Sequence, residues 1–292
     1  MKIIFLIFPV VLLAGYSFAD SISLYGENDF MHRTDGWYTQ GTQIKYDSDN
    51  LWGMKIDQAI YTPENKDDPD PVRGDRPYAG YLHLDGFKHF CEGKQDDYIE
   101  LSLGVIGPAS GAEAVQSGFH KITGMAIPQG WKWQLKNEPT VNAAYYKSYS
   151  VMLEKWLEYK PLGGVNLGNV LVDAELGNCI RVGYNLPREF SPLIYNFASD
   201  TKKPKDKNFY CYAFAGVIGK TIAYNQILDG SLFQDEPVTV RHNNFVADGF
   251  IGACIGFWQL ELTITHVVRT EEWLSQPDRD NEFESVKISL KI

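Results

Sequence analysis

Two polar side chains four residues apart, Gln116 and His120, have residue types and a spacing that suit catalysis. Positions i and i+4 share one face of an α-helix, so these two side chains would be presented together. Imidazole changes charge near neutral pH and is the side chain most often used to accept a proton. The sequence contains no serine-elbow, zinc-protease or phosphate-loop motif. We therefore expect His120 to activate water as the nucleophile; the alternative is a solvated helix histidine.

Five further residues, all early in the chain, are candidates for the same chemistry. Asn28 and Asp29 close the first strand-like run. The alternative to a functional role for Asp29 is that its side chain caps a turn. Thr39 and Gly41 are two apart in the next run, so we expect them on one strand face, with the glycine leaving a backbone N–H unshielded. Arg76 follows Asp75 in the sequence. The alternative to a role in the site is that these two residues form a surface ion pair worth less than ~1 kcal/mol.

The segment that must position the glutamine and the histidine is the insert Gly107–Pro139, which does not follow the strand pattern around it. Ser110 with Glu113 matches the S-x-x-E capping box and predicts a short helix near residues 110–123. Gly124 can end this helix in the left-handed conformation. Its apolar stripe consists of Ala112, Val115, Phe119 and Ile122. A pore needs no such element, whereas an enzyme built into a barrel wall could use one.

Outside the insert, apolar and polar residues alternate with a period of two, as in a sheet with one apolar and one polar face. Eleven such runs, several longer than most globular strands, predict an all-β, antiparallel transmembrane β-barrel of about 12 strands. The runs are residues 21–27, 36–47, 51–61, 77–87, 98–105, 145–159, 170–184, 208–225, 245–257, 258–270 and 283–292. A secreted β-sandwich or lipocalin-like barrel is the alternative, and strand length favours the membrane.

Aromatic residues make up 14% of the chain and gather near the ends of these runs, where interfacial girdles need them. The aromatics expected in the girdles are Trp37, Tyr38, Tyr145, Tyr146, Tyr210, Tyr212, Tyr224 and Trp273. Trp131 and Trp133, in the insert, are expected to be interface anchors.

The first 19 residues have the features of a secretory signal peptide: a lysine, an apolar run too short to span a bilayer, and Ser-Phe-Ala before Asp20. Residues 20–292 are then expected to form one outer-membrane domain. The net charge of −10 argues against a nucleic-acid partner. Four scattered cysteines without metal-ligand spacing predict small unpaired side chains or at most one disulfide, rather than a zinc site.

An ordered set of short motifs runs along nearly the whole chain after residue 19. The motifs are Glu27-Asn28-Asp29, Tyr38-Thr39-x-Gly41, Asp75-Arg76-Pro77-Tyr78-Ala79-Gly80, Gly107-Pro108-x-Ser110-Gly111, Gln116-x-x-x-His120, Gly130-Trp131-x-x-Gln134-Leu135-x-Asn137-Glu138-Pro139, Gly168-Asn169-Val170 and Leu228-Asp229-Gly230. This set resembles the lipid A 3′-O-deacylase family of Gram-negative outer membranes. The ordered set is far more specific than any one of its motifs.

The resemblance implies a twelve-stranded barrel in the outer membrane of a Gram-negative bacterium. Such a barrel hydrolyses the acyloxyacyl chain at the 3′-position of lipid A in lipopolysaccharide and requires calcium. The residues that match the family's catalytic motifs are Asn28, Thr39, Gly41, Gln116 and His120. We expect the protein to act as a monomer.

The chemistry implied by the resemblance is that of a water-activating ester hydrolase. His120 would deprotonate water, while calcium and a backbone N–H near Gly41 stabilise the oxyanion. Asp29 suits calcium because the ion takes hard oxygen ligands. Arg76 would hold a phosphate or a sugar, since a guanidinium binds phosphate bidentately.

Two other classes of protein stay open at this point. A non-catalytic outer-membrane barrel, either a pore or an adhesion scaffold, would leave lipid A unchanged. A soluble periplasmic binding protein would partition into the aqueous phase without detergent.

Overall fold

The structure is a computed structural model that describes residues 20–28, 36–71, 73–187, 208–277 and 280–292. The expected signal peptide and the candidate metal ligand Asp29 lie outside these ranges. Within them the chain is mostly long strands, as the period-two pattern predicts. Neither of the helices found there combines the length and the apolar character that crossing a membrane would take.

The described residues form 13 strand segments and two α-helices. The strands are β1 (Ser21–Asn28), β2 (Trp37–Asp47), β3 (Trp52–Thr62), β4 (Ala79–Glu92), β5 (Gln95–Ile106), β6 (Glu138–Tyr149), β7 (Val151–Glu154), β8 (Leu157–Gly168), β9 (Leu171–Tyr184), β10 (Phe209–Asn225), β11 (Phe245–Phe257), β12 (Leu260–Arg269) and β13 (Asn281–Lys291). The helices are α1 (Ala112–Thr123) and α2 (Gln226–Asp229). The helical insert expected near residues 110–123 is therefore confirmed.

Antiparallel pairing joins the strands into a closed barrel. Successive strands pair from β1 to β6 and from β8 to β13, β6 pairs with β8, and β1 pairs with β13 to join the two ends of the chain. β7 continues the line of β6 past Ser150 and keeps the same register against β8, so β6 and β7 form one wall strand. The wall therefore has 12 strands, and the all-β membrane-type barrel is confirmed.

One of the eleven expected runs combined two strands. The run 145–159 contains the end of β6, all of β7, a two-residue turn at Lys155 and Trp156, and the start of β8. No glycine or proline marks this turn, and two residues do not interrupt an alternation of period two. The strand missing from the expected set is β8.

Alternation along each strand places apolar side chains outside the barrel and polar ones inside. On β3, Met54 and Ile56 are exposed, whereas Lys55 and Asp57 beside them are buried. The exposed apolar belt includes Leu24, Ile44, Leu84, Leu103, Val165, Leu167, Val217, Ile251, Ile264 and Ile288. An apolar outer band around a polar interior is the arrangement of outer-membrane barrels.

The connections at the two ends of the barrel differ in length. At one end four of the connections are only two to four residues long: residues 48–51, 93–94, 155–156 and 258–259. The other end carries the insert between β5 and β6 and long connections before β4 and after β10. Outer-membrane barrels have short periplasmic turns and longer extracellular loops. The insert with α1 therefore lies at the extracellular end.

Most of the aromatics expected in the interfacial girdles are buried instead. Trp37, Tyr146, Tyr210 and Trp273 are buried, while Tyr145 is exposed as expected. An exposed aromatic ring does surround the short-turn end, and it consists of Trp52, Tyr149, Trp156, Tyr184, Phe209, Phe257 and Trp258. Position near a strand end therefore does not decide the face, because neighbouring residues point to opposite sides of the wall.

Ion pairs and aromatic side chains fill much of the barrel interior. Lys55 lies 2.9 Å from Glu100 and 3.4 Å from Asp85, and Lys220 lies 2.7 Å from Asp248. A cavity of about 110 Å³ remains between these groups. All four cysteines are free, in agreement with the expected small unpaired side chains.

Candidate active site

α1 starts later than the capping motif predicts. Its first residue is Ala112, and the N-cap is Gly111 in the left-handed conformation with no side-chain cap. The Ser110 hydroxyl instead donates to the Gly107 carbonyl at 2.6 Å and closes the preceding turn. The expected capping box at Ser110 is therefore wrong. Gly124 ends the helix in the left-handed conformation (φ 76°), as predicted.

α1 turns its polar face towards the protein and its apolar face outward. Gln116 and His120 do share one face, and each is only 1% exposed. The apolar residues Val115, Phe119 and Ile122 are exposed, Ile122 to 68%. A helix on a water-soluble protein buries its apolar stripe. Beside a barrel wall the surroundings are lipid, so the outward face of α1 continues the apolar belt.

Trp131 fixes the orientation of the Gln116 carboxamide. The indole N–H donates to Gln116 Oε1 at 2.9 Å. An indole nitrogen can only donate, so the amide oxygen must face the ring and Nε2 must point away from it. Gln116 Nε2 is buried and has no hydrogen-bond partner among the described residues. An unsatisfied buried donor costs about 1–3 kcal/mol, which makes it a candidate to bind an acceptor on a ligand.

The backbone after α1 sets the tautomer of His120. Its Nδ1 lies 2.5 Å from the Ala126 carbonyl oxygen, which can only accept. Nδ1 therefore carries the hydrogen, and in the neutral ring Nε2 carries the lone pair. The chain reverses at Gly124, where the Met125 N–H donates to the His120 carbonyl at 2.9 Å. Nε2 is thus the ring nitrogen of His120 that can accept a proton.

Close packing places α1 on the outer side of the wall. Ile60, on the outward-facing set of β3, packs with Ala112 and Trp131. On the neighbouring strand β4, a Cβ added to Gly80 would collide with Ser110 and Ala112. This position must be glycine for the helix to lie so near the sheet. The buried polar face of α1 therefore lies between the helix and the outside of the barrel.

A β-bulge in β2 separates Thr39 and Gly41 onto opposite faces. The register against β3 shifts between Tyr38 and Gln40, which makes Thr39 the extra residue. The Thr39 hydroxyl bonds the Thr62 hydroxyl at 2.7 Å on the outer side. A Cβ on Gly41 would instead collide with the Tyr38 hydroxyl inside the barrel. The expectation of a shared face is wrong because the extra residue resets the alternation.

Asn28 lies on the outer side with Thr39. It is the last residue of β1 and follows Glu27, whose buried carboxylate accepts a hydrogen bond from Tyr38 inside the barrel at 2.5 Å. Since neighbours on a strand point to opposite faces, the Asn28 side chain points outward. The structure thus brings Asn28, Thr39 and the polar face of α1 to one side of the wall.

Arg76 lies on the inner side of the wall, at the mouth of the barrel. It is 1% exposed, stacks 4.4 Å over the Tyr61 ring and pairs with Glu272 at 3.2 Å. Burial raises the pKa of Glu272, but the charges of Arg76 and Arg269 outweigh burial and hold that pKa below its ordinary value. The surface ion pair considered for Arg76 is wrong, because Asp75 is buried too and accepts the Arg76 backbone N–H.

The described residues contain a histidine and carboxylate group close enough to hold a metal ion: Asp57, His83 and Asp85. This group faces the barrel interior. The Lys55 ammonium lies 3.4 Å from Asp85 and 4.0 Å from Asp57 and already supplies positive charge there. The group is also across the wall from His120, so it does not suit a metal ion that acts beside this histidine.

The outward site combines a base with a polar donor. His120 can take a proton from water, and Gln116 Nε2, which has no partner among the described residues, can stabilise negative charge that develops on a carbonyl oxygen. Sequence reasoning missed Trp131 as the residue that orients Gln116. A buried tryptophan needs a hydrogen-bond acceptor for its indole N–H. This need is the feature of the sequence that could have identified Trp131 as a partner of a nearby polar side chain. Nothing in the sequence marks Ala126, because a main-chain carbonyl does not depend on residue type.

The comparison with known proteins agrees with this architecture. The family described as Outer membrane protein LpxR matches residues 3–292. The structure of LpxR from Salmonella typhimurium is similar with a TM-score of 0.82 and 22% sequence identity, covering 93% of this chain and 100% of that chain. The KdgM porin in complex with disordered oligogalacturonate gives a TM-score of 0.42 at 7% identity, covering 93% of this chain and 99% of that chain. The NanC porin gives a TM-score of 0.43 at 8% identity, covering 93% of this chain and 100% of that chain. No curated protein sequence matches the chain. The match along the sequence and the shared fold show that the chain belongs to the LpxR family of lipid A 3′-O-deacylases, proteins of the Gram-negative outer membrane.

Proposed function

We propose that the protein hydrolyses the 3′-linked acyl (acyloxyacyl) chains of lipid A, with His120 activating the attacking water and calcium assisting at the ester. The observation that carries the proposal is the buried pair of Gln116 and His120 on the lipid-facing side of the wall. Polar residues that face lipid are costly, and where they occur they mark functional sites. Membership of the LpxR family supports the substrate class.

The base in the proposed reaction is Nε2 of His120. Nε2 accepts a proton from water as the water oxygen attacks the ester carbonyl carbon. The Ala126 carbonyl keeps its hydrogen bond to Nδ1 and so favours the imidazolium that forms. The bond from the carbonyl carbon to the sugar oxygen then breaks, and the imidazolium returns the proton to that oxygen. The products are a free fatty acid and a sugar hydroxyl.

Gln116 is the proposed donor to the carbonyl oxygen. Its Nε2 lacks a partner among the described residues and is held in place through the bond of its Oε1 to Trp131. A preorganised donor of this kind is worth about 10²–10³-fold in kcat. We assign the wall side of the same slot to Asn28, to Thr39 and to the backbone N–H near Gly41.

The sequence around the end of β1 contains ligand types that calcium prefers. Calcium takes carboxylate, carboxamide and main-chain carbonyl oxygens. We assign the ion to Asp29, which follows Asn28 in the sequence and lies outside the described ranges. When bound, calcium would supply positive charge to the ester carbonyl oxygen.

The apolar surfaces on either side of the slot suit the acyl chains. The outward residues of α1 and the belt on the neighbouring strands are exposed together. Acyl chains that lie along this surface would bring the ester to the polar slot under the helix. Arg76, which faces the barrel interior, is better suited to fixing the mouth of the barrel than to touching the substrate.

Mass spectrometry of lipid A tests the proposal in cells that express the wild type, His120→Ala or Lys121→Ala. Lys121 is the next residue on α1 but is exposed, so its variant is the matched control. The wild type and Lys121→Ala should remove the 3′ chains, and His120→Ala should not. Heat-sensitive gel mobility should show a folded barrel in all three. Equal removal by His120→Ala, or activity that survives calcium chelation, would show the mechanism to be wrong.

The non-catalytic pore receives no support from the interior of the barrel. Ion pairs and aromatic groups cross it, and a cavity of only about 110 Å³ lies between them. Conductance in planar bilayers checks this point, because a packed interior predicts no stable open channel.

A further inference from the structure

Three side chains that can bind a metal ion project into the barrel from two neighbouring strands, β3 and β4. Asp57 on β3 lies directly opposite His83 on β4, and residues directly opposite on antiparallel strands project to the same face. Asp85 follows His83 by two positions and so shares this face. One ligand atom from each residue lies within 4.8 Å of the others. Strand geometry therefore gathers an imidazole and two carboxylates around one point of the interior.

Each of the two carboxylates keeps one oxygen without a hydrogen bond. Asp57 is 7% exposed and Asp85 is 0% exposed. Asp57 Oδ1 accepts a hydrogen bond from the Gln43 carboxamide at 2.7 Å, and Asp85 Oδ1 accepts one from His83 Nδ1 at 2.7 Å. The second oxygen of each, Oδ2, is buried and has no hydrogen-bond partner among the described residues. Buried acceptors that lack a donor indicate a place for a ligand, and carboxylate oxygens suit a cation.

The single ammonium at this place does not neutralise the carboxylates around it. Lys55 lies 4.0 Å from Asp57 Oδ2 and 3.4 Å from Asp85 Oδ2, so both oxygens border the same space. Its shortest ion pair is with a third carboxylate, Glu100, at 2.9 Å. Within the described part of the chain no other lysine or arginine pairs with these three carboxylates. With neutral His83, two negative charges stay uncompensated, and one divalent cation would offset them.

The cavity inside the barrel gives an ion both room and a route to this group. Its volume is about 110 Å³, and Asp57 and His83 line it. Arg76, Ile227 and Glu272, which lie at the extracellular end, line the same cavity. A space of this size holds several water molecules, which can complete the coordination of an ion that has three protein ligands.

The donor set selects the class of ion. Calcium and magnesium take oxygen ligands, whereas an imidazole suits transition metals such as zinc. Zinc binds histidine nitrogen and aspartate oxygen together. Gln43 holds Asp57 by its hydrogen bond, and the Tyr81 ring stacks on the His83 ring at 4.2 Å between centroids. Two of the three ligands are thus oriented by their neighbours, as in protein metal sites generally.

We propose that Asp57, His83 and Asp85 bind a divalent transition metal ion, with zinc as the best match, inside the barrel. The site faces the interior, lies across the wall from His120 and is independent of the proposed ester hydrolysis. A bound ion joins β3 to β4 and offsets the buried negative charge. Because it binds only the folded barrel, it stabilises that state.

Calorimetric titration of the purified protein in detergent with zinc chloride tests the site. The protein is first stripped with EDTA and dialysed into saturating calcium, which fills sites that prefer oxygen ligands. Asp57→Asn and His83→Gln should each bind one equivalent of zinc less than the wild type. His242→Gln is the matched control and should bind as the wild type does, because His242 pairs with Asp229 outside this cavity. Heat-sensitive gel mobility shows which variants fold, and either site variant is sufficient for the test.

Heat stability separates a metal site from a purely structural role of these residues. Zinc at a hundredfold excess over Kd should raise the unfolding temperature of the wild type and of His242→Gln by roughly 5 °C or more. It should not raise that of Asp57→Asn or His83→Gln. In EDTA, Asp57→Asn should be at least as stable as the wild type, because it removes one buried negative charge.

Three results would overturn the site. The first is equal zinc binding by all four proteins. The second is a wild type whose unfolding temperature does not respond to zinc. The third is an Asp57→Asn barrel that is less stable than the wild type by the same margin with zinc and with EDTA.

Discussion

Replacing Trp131 with phenylalanine removes one N–H and leaves most of the packing volume in place. The indole packs with Ile60, Tyr78 and Ala112, and phenylalanine can keep part of those contacts. The bond to Gln116 Oε1 at 2.9 Å is lost. The Gln116 carboxamide is then free to turn, and its Nε2 is no longer held in one direction.

The structure sets the expected size of this effect. A lost hydrogen bond and a buried oxygen left without its partner cost about 1–3 kcal/mol of folding free energy. Gln116→Leu removes the proposed oxyanion donor altogether and should lower kcat about 10²–10³-fold. Trp131→Phe keeps the donor but loosens it, so we expect a fall in kcat of about tenfold, which corresponds to ~1.4 kcal/mol. KM for lipid A should change little.

A double-mutant cycle distinguishes positioning from general damage. If Trp131 acts through Gln116, the double variant should be no slower than Gln116→Leu alone. Rates of deacylation by mass spectrometry and heat-sensitive gel mobility are measured for all four proteins. A double variant that shows the product of the two separate losses would refute the positioning role of Trp131.

The close approach of α1 to Gly80 predicts that Gly80→Val displaces the helix and lowers activity at least tenfold while the barrel still folds, because the new side chain collides with Ser110 and Ala112. Gly86→Val on the same strand is the control, since a Cβ there meets nothing, and deacylation with gel mobility is the measurement. Glu272 predicts an acid-dependent stability. Because its folded pKa lies below the ordinary value of 4.5, its contribution is full above that pH and is lost as pH falls through the lowered pKa. Glu272→Gln should therefore be less heat-stable than the wild type at pH 7, and thermal unfolding should show this gap narrowing as the pH falls below 4.5; a gap that stays constant would exclude the ion pair with Arg76 as its cause.

Local geometry explains what could be predicted in advance. The period-two pattern depends only on the pleat of a strand, so barrel class and most strand positions followed from it. The departure from that pattern located the insert, and the i, i+4 spacing put Gln116 and His120 on one face. Residue chemistry suggested a base and a carboxamide, which the structure places together and buries.

Two errors arose where local rules met the rest of the fold, at Thr39 and at Ser110. The bulge at Thr39 reversed the face of Gly41, and the pattern of alternation carries no mark of an extra residue. The closed wall puts the Arg76 guanidinium inside, on Tyr61, and the expected contact of Arg76 with the substrate stays a prediction. Ser110 matched a capping box, yet its hydroxyl had a nearer carbonyl acceptor at Gly107.

The sequence by itself determined the alternating strands, the helical insert and the pair of polar side chains, because each depends on residues within a few positions of one another. Tertiary structure decided which side of the wall each group faces. It also decided that α1 buries its polar face, since the helix lies between a sheet and lipid rather than between a core and water. The pairing of Asn28 with Glu284 joins the two ends of the chain, and only closure of the barrel brings them together.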